Sequence, residues 1–349
     1  MTFHRGAHLP RVLLALACAV PAAAFAQSSV TLYGWLDGGI QYRTKADGHN
    51  SEVNLQSNGN LPTIFGLTGA EDLGGGLKAV FKLEQSFNIN DGTPLVPGYE
   101  FFRDAYVGLS GGFGTVTAGR QPSLLFDETL TFDPFYYSAY SGQSQLIPIT
   151  DNFISSTIKY QSPDLSGIKL KALVATGGVA GNFRSGRVLE LGGEYRGAAF
   201  SASAVLRETN GAAGVAGAPD TSGLVRRIGV VDAAYRIGTG ELVAGVERQT
   251  GDLAPSKTVV WGGGRLQATP MIGFGLGVYQ TLSNDPQTGH PTMVAAGATY
   301  SLSKRTSTYL NVGYSRNSRH SSQTVYEYDP TPLDGTNQFG VMLGMTHTF

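Results

Sequence analysis

The chain has 349 residues, 25 basic and 26 acidic side chains for a formal net charge of −1, a single cysteine and 48 glycines. So small a charge supplies no basic field for a nucleic-acid partner. One cysteine excludes an internal disulfide framework.

The opening residues carry a basic head with Arg5 and Arg11, an apolar run from Val12 to Val20 and then Ala24-Phe25-Ala26. This order predicts a secretory signal over residues 1–26, cleaved after Ala26, followed by one domain over 27–349. A membrane helix is the alternative, but the run is too short to span and Pro21 interrupts it. Cys18 follows Ala15-Leu16-Ala17 as a lipid-attached cysteine would, yet the apolar segment continues past it. Losing Arg5 and Arg11 leaves 23 basic against 26 acidic residues, a net charge of −3. Beyond residue 26 no stretch approaches the roughly 18 apolar residues of a spanning helix.

From there the chain alternates with a period of two, the period of a strand. Val30, Leu32, Leu36 and Ile40 share a face opposite Thr31, Asp37, Gln41 and Arg43. "EDLGGG", "SGGFG", "PDLSG", "RGA" and "IGTG" read as short turns. The alternation returns at Ile168, Leu170, Ala172 and Val174 opposite Lys169 and Lys171. It returns again at Phe200, Ala202, Ala204 and Leu206 opposite Ser201, Ser203 and Arg207, and at Ile272, Phe274, Leu276 and Val278 opposite glycines. Long polar stretches lie near residues 43–60, 88–100, 177–187, 208–225, 283–291 and 317–336. The end, "FGVMLGMTHTF", alternates to its last residue, so Phe349 belongs to a sheet.

Short links alternating with long ones describe an all-β, transmembrane, antiparallel up-and-down barrel of about sixteen strands, its greasy face on lipid and its polar face on a lumen. A β-sandwich carries fewer hairpins in one domain, and a propeller would show a repeat of about 40 residues. A barrel has no edges, so Phe339 to Phe349 is expected to pair with Val30 to Tyr42. "EDLGGGLK" lacks the Lys-Ser/Thr of a phosphate cradle. His49, His290, His320 and His347 have no second ligand at metal spacing, so neither metal nor cofactor is expected.

"SSVTLYGWLDGGIQYR", "FGLTGAEDLGGGLKAVFKLEQSF", "RDAYVGLSGGFGTVTAGRQ" and the terminal "GMTHTF" resemble, in order and spacing, the general trimeric porins of proteobacterial outer membranes. The resemblance implies a homotrimer in outer-membrane lipid and lipopolysaccharide, and a terminal Phe349 read by the barrel-assembly machinery. It implies also that the third long loop folds into the lumen. That loop would be the segment after Arg120, with Asp127, Glu128 and Asp133 facing wall cations at Arg103 and Arg120, where the family has arginine; alternation adds Lys82 and Arg43 as candidates. Where relatives carry an arginine two residues before the glycine of "FGLTG", this chain has Ile64.

The function so implied is passive diffusion of small hydrophilic solutes and ions, with no enzymatic activity. A substrate-specific, sugar-type channel is the alternative, since Phe132, Phe135, Tyr136, Tyr137 and Tyr140 could line a slide for sugar rings. A hydrolase would need a nucleophile, base and orienter at one rim, and no motif marks them.

Overall fold

The structure is a computed structural model that describes residues 29–142, 149–214, 217–283, 285 and 289–349. The signal segment and Cys18 lie outside the described residues, as do residues 143–148 of the third loop. The first seven strands are β1 (Ser29–Arg43), β2 (Glu52–Ser57), β3 (Ile64–Gly74), β4 (Leu77–Ser86), β5 (Asp104–Gly111), β6 (Gly114–Pro122) and β7 (Phe153–Gln161). Two short helices, α1 (Leu124–Thr131) and α2 (Ile149–Asn152), sit between β6 and β7. The chain continues through β8 (Ile168–Ala175), β9 (Val188–Arg196), β10 (Phe200–Asn210), β11 (Val225–Ile237) and β12 (Gly240–Gly251). It ends with β13 (Lys257–Gln267), β14 (Ile272–Ser283), β15 (Thr292–Ser301), β16 (Thr306–Arg316) and β17 (Gln338–Thr348).

Each strand pairs antiparallel with its neighbour, and the sheet closes on itself. The barrel has sixteen staves rather than seventeen, because β2 and β3 share one. Residues 38–43 of β1 pair with β2 and residues 29–35 pair with β3. On its other side β1 meets β17, from Trp35 opposite Thr348 to Arg43 opposite Gly340. Phe349 completes the seam by exchanging backbone hydrogen bonds of 3.0 and 3.3 Å with Gly34. A side chain at Gly34 would collide with the Phe349 ring, so the close approach requires glycine there.

The interruption between β2 and β3 is organised around Asp37. Its buried carboxylate accepts the backbone N–H groups of Gly59, Asn60 and Leu61, the hydroxyl of Tyr309 on β16 at 2.8 Å and that of Thr346 on β17 at 2.5 Å. One side chain thus ties the first, second and last two staves together.

At the opposite extreme of burial, the Gly74-Gly75-Gly76 turn has open space where side chains would stand and holds all three residues at positive φ. Its glycines serve backbone conformation.

Alternation sorts the two faces. Leu32, Leu36, Ile40, Leu170, Leu206, Leu276 and Leu343 are exposed on the outside, whereas Asp37, Gln41, Glu190, Arg207 and Glu247 point inward and are buried. The inner face is not polar throughout, contrary to the expectation from sequence. Leu173, Val205, Ile228, Val230, Val259, Trp261, Tyr279 and Met293 also point inward, where they form one apolar cluster with Leu124, Leu125 and Phe135 of the third loop. Fully burying a leucine is worth about 1.5–3 kcal/mol, so these contacts hold the loop inside the barrel.

Candidate functional site

The third loop is shaped from its own sequence. Ser123 caps α1 by accepting the Phe126 N–H at 3.1 Å. The next free donor, Leu124 N–H, goes 2.6 Å to Glu190 on β9, a carboxylate at the positive end of the helix. Glu190 also pairs with Arg207 on β10 at 2.6 Å, so one acid orients both helix and wall. Beyond the helix, Asp133 accepts from Phe135 N–H (2.7 Å), Tyr137 N–H (3.1 Å) and Ser141 Oγ (2.6 Å), folding the loop back on itself. Trp261 Nε1 donates 3.0 Å to the Phe132 carbonyl, and Arg265 donates to the Thr131 and Asp133 carbonyls at 3.0 Å each. The loop is fastened to the β13 wall.

The loop tip meets a second inward loop that the sequence did not announce, residues 317–337 between β16 and β17. Tyr140 packs edge-on to Tyr326 at 5.7 Å, and Glu327 N–H donates 2.9 Å to the Ala139 carbonyl. Gln41 Nε2 donates 3.1 Å to the Tyr140 hydroxyl, and the Tyr326 hydroxyl donates to the Ser57 carbonyl. The lumen is therefore narrowed by two loops that brace each other.

The expected constriction residues fall into different places. Lys82 and Arg103 come together on the β4–β5 wall, but they face acids of that same wall. Lys82 lies 2.8 Å from Asp104 and 3.1 Å from Glu84, while Arg103 pairs with Glu84 and stacks 4.6 Å from the Phe153 ring. Arg43 is buried at the far end of β1, 3.0 Å from Glu52 and 3.0 Å from Asp329 of the second inward loop. Arg120 does not join them. It is paired opposite Ala105 on the face that carries Val116 and Ala118, donates to the Phe102 carbonyl and to Ser155 Oγ, and lies 4.3 Å over the Tyr99 ring. Thr115, Thr117 and Gln121 of β6 line the cleft instead, and the pairing of β6 with β7 shifts register between Gly119 and Gln121, at Arg120 itself.

The loop acids are likewise bound rather than free. Asp127 pairs with Lys159 on β7, and Glu128 reaches Lys171 on β8 at 2.5 Å. Asp133 is wholly buried, and removal from water pushes its carboxyl above the ordinary range, so it is a fold-making residue. Ile64, where an arginine was missing, is buried on the inner face opposite Trp35.

Sequence reasoning missed Glu84, Asp104, Lys159 and Lys171. Glu84 was accessible to it, because two residues after Lys82 on a strand is the same face. Of the five rings proposed as a slide, Phe132, Phe135, Tyr137 and Tyr140 are buried in packing. Tyr136 alone stays exposed, with the Arg265 guanidinium 3.9 Å from its ring.

Between loop and wall a polar cleft remains, lined by Lys82, Asp104, Tyr106, Thr117, Asp127 and Lys159. Both signs of charge meet there, in a sixteen-stave barrel with an outward apolar face. The description Gram-negative porin matches residues 13–320. The chain belongs to the Gram-negative porin family. Outer membrane porin protein 32 of Delftia acidovorans is 28% identical to this porin over 98% of its chain and all of the relative. Among solved structures, an anion-selective porin from Comamonas acidovorans superposes with a TM-score of 0.79 at 24% identity, covering 93% of this porin and all of that chain. A trimer form of OmpT from Vibrio cholerae gives 0.66 at 15% identity, covering 92% and 99%. The porin is a channel of the Gram-negative outer membrane, open to passive diffusion, and its relatives are channels rather than enzymes.

Proposed function

We infer that this porin is a general, weakly charge-selective pore for small hydrophilic solutes, narrowed at the cleft where Lys82, Asp104, Asp127 and Lys159 meet. The observation that carries this reading is the neutralisation of the lumen. Lys82 and Arg103 are held by Glu84 and Asp104, Lys159 by Asp127, and Lys171 by Glu128 and Glu194. A passing ion meets dipoles, whose field falls off faster than that of the lone charges a strongly selective filter uses.

Reversal potentials across a tenfold KCl gradient test this. The wild type is expected to stay well below the roughly 59 mV of ideal monovalent selectivity. Arg103→Ala, which leaves Glu84 and Asp104 with Lys82 as their one cation, and Lys159→Ala, which takes the lysine from Asp127, should both move the preference toward cations. Asp127→Asn should move it toward anions. A strongly anion-selective wild type, or no separation among the variants, would overturn the reading. The burial of four of the five rings argues against a sugar slide, for which solute should block conductance at modest concentration.

The same reading includes export with removal of residues 1–26, leaving 27–349 as one barrel domain, and assembly as a homotrimer in outer-membrane lipid. Ile89, in the loop between β4 and β5, lies over Gly38 on the outside of the barrel, and that outward-folded loop suits contact with a second subunit. The OmpT neighbour, described as a trimer form, supports this state. Phe349 would serve both as the seam residue and as the signal to the assembly machinery. Deleting it is expected to leave exported chains that do not fold, seen as loss of the heat-modifiable band on gels. Normal amounts of folded trimer would remove that role.

A further inference from the structure

Beneath the third loop, toward the short-turn rim, the lumen keeps a cavity of about 440 Å³. Gly238 and Thr239, the turn between β11 and β12, line it, and short turns mark the periplasmic end of such barrels. A volume near the low end of ligand pockets suits one small ring. Among the described residues, the charged side chains that line it are Arg236, Glu241 and Arg265. Glu241 pairs closely with Arg265, whereas Arg236 lies 3.9 Å from that carboxylate and its side chain is 64% exposed. Two guanidinium groups share one carboxylate, so the lining carries an excess of positive charge.

The wall of the cavity on β14 and β15 is bare backbone at Gly273, Gly275 and Gly297. The chain already lays a ring on it: a Cβ added at Gly297 would stand 2.9 Å from the Phe135 ring, and one at Gly275 would stand 3.5 Å from it. Tyr136, the next residue, extends that aromatic surface into the cavity, and it does so from an uncommon backbone. Tyr136 and Tyr137 both sit at positive φ, 51° and 58°, a conformation that bulky residues rarely adopt. Tyr137 turns into packing against Phe126, while Tyr136 stays 53% exposed with the Arg265 guanidinium 3.9 Å from its ring centre. Strain held at an exposed ring is a mark of ligand-binding segments.

We propose that this cavity is a retention site for a small planar aromatic carboxylate, its ring against Tyr136 and the glycine wall and its carboxylate on Arg236. The chemistry follows from the lining. Bare backbone and an aromatic side chain accept a flat ring, offset or edge to face, and a weakly engaged guanidinium accepts a carboxylate bidentately. A neutral sugar would leave the excess charge unanswered, and an inorganic anion would leave Tyr136 and the glycines unused. Glu241 competes for Arg236 and keeps retention loose. The inference rests on the reading of an open lumen, through which the cavity is reached.

The test uses folded full-length barrels in detergent at low chloride, titrated calorimetrically with sodium benzoate, with benzamide and with cyclohexanecarboxylate. The wild type should bind benzoate at least fivefold more tightly than either of the others. Arg236→Gln should lose the advantage over benzamide, and Tyr136→Ala the advantage over cyclohexanecarboxylate. Heat-modifiable migration and KCl conductance show that each variant is still a folded, open barrel. In wild-type bilayers benzoate should lower the KCl conductance partially and saturably, a result that depends on no variant. Equal binding of the three compounds, binding that neither substitution alters, or a conductance indifferent to benzoate would each overturn the proposal. Those outcomes leave the channel reading intact, since that reading fails only if the barrel conducts no KCl at all.

Discussion

Replacing Asp37 with alanine is expected to destabilise the folded barrel by about 3–5 kcal/mol, since each buried donor left without an acceptor costs about 1–3 kcal/mol and water from the lumen can restore only part of that loss. The side chain satisfies the N–H groups of Gly59, Asn60 and Leu61, and it holds Tyr309 and Thr346 across the seam. These groups come from the gap between β2 and β3 and from the last two staves. Their loss should therefore open the closure itself. Asp37→Asn keeps an acceptor oxygen and the volume, so its cost should be intermediate. Urea unfolding in lipid vesicles measures both through the shift in midpoint. A change below about 1 kcal/mol in the alanine variant would show that backbone pairing closes the barrel without this carboxylate.

The second large effect concerns the lipid face. Leu276 lies near the middle of β14 and is exposed outward, so Leu276→Arg should cost about 2–4 kcal/mol if that position is at the bilayer midplane. Leu170 and Phe274 also point outward, but each lies only two residues inside its strand from the short-turn rim. Arginine there should cost less, falling toward about 0–1 kcal/mol at the interface. Thr299 on β15 lines the open part of the lumen, and arginine at that site should be tolerated. Ser203, an inward position by alternation, is not an equivalent control. It is buried and donates 2.6 Å to Asp232, so a long side chain has no room. The same unfolding series decides the assignment of faces: equal damage at Leu276 and Thr299 would contradict it.

The period-two alternation of apolar and polar residues, the glycine-marked turns and the strand-like ending at Phe349 were enough to determine an up-and-down barrel and the closure of its last strand on its first. They suffice because in a strand successive side chains must take opposite faces and because a barrel permits no free edge. What covers the inner face was not legible. Leu173 and Val205 look alike to any pattern whether they meet lipid or a loop, and only the folded chain places them under Leu124 and Leu125. The partners of the charges were equally hidden. Lys171 and Glu128 are 43 residues apart, and Gln41 and Tyr140 are 99 apart. Such pairings depend on which staves the third loop crosses, and that is set by apolar packing inside the barrel. Tertiary structure alone decided that the loop acids bind wall lysines, that Asp133 folds its own loop, that the loop after β16 also turns inward, and that Arg120 lies on the face away from the cleft.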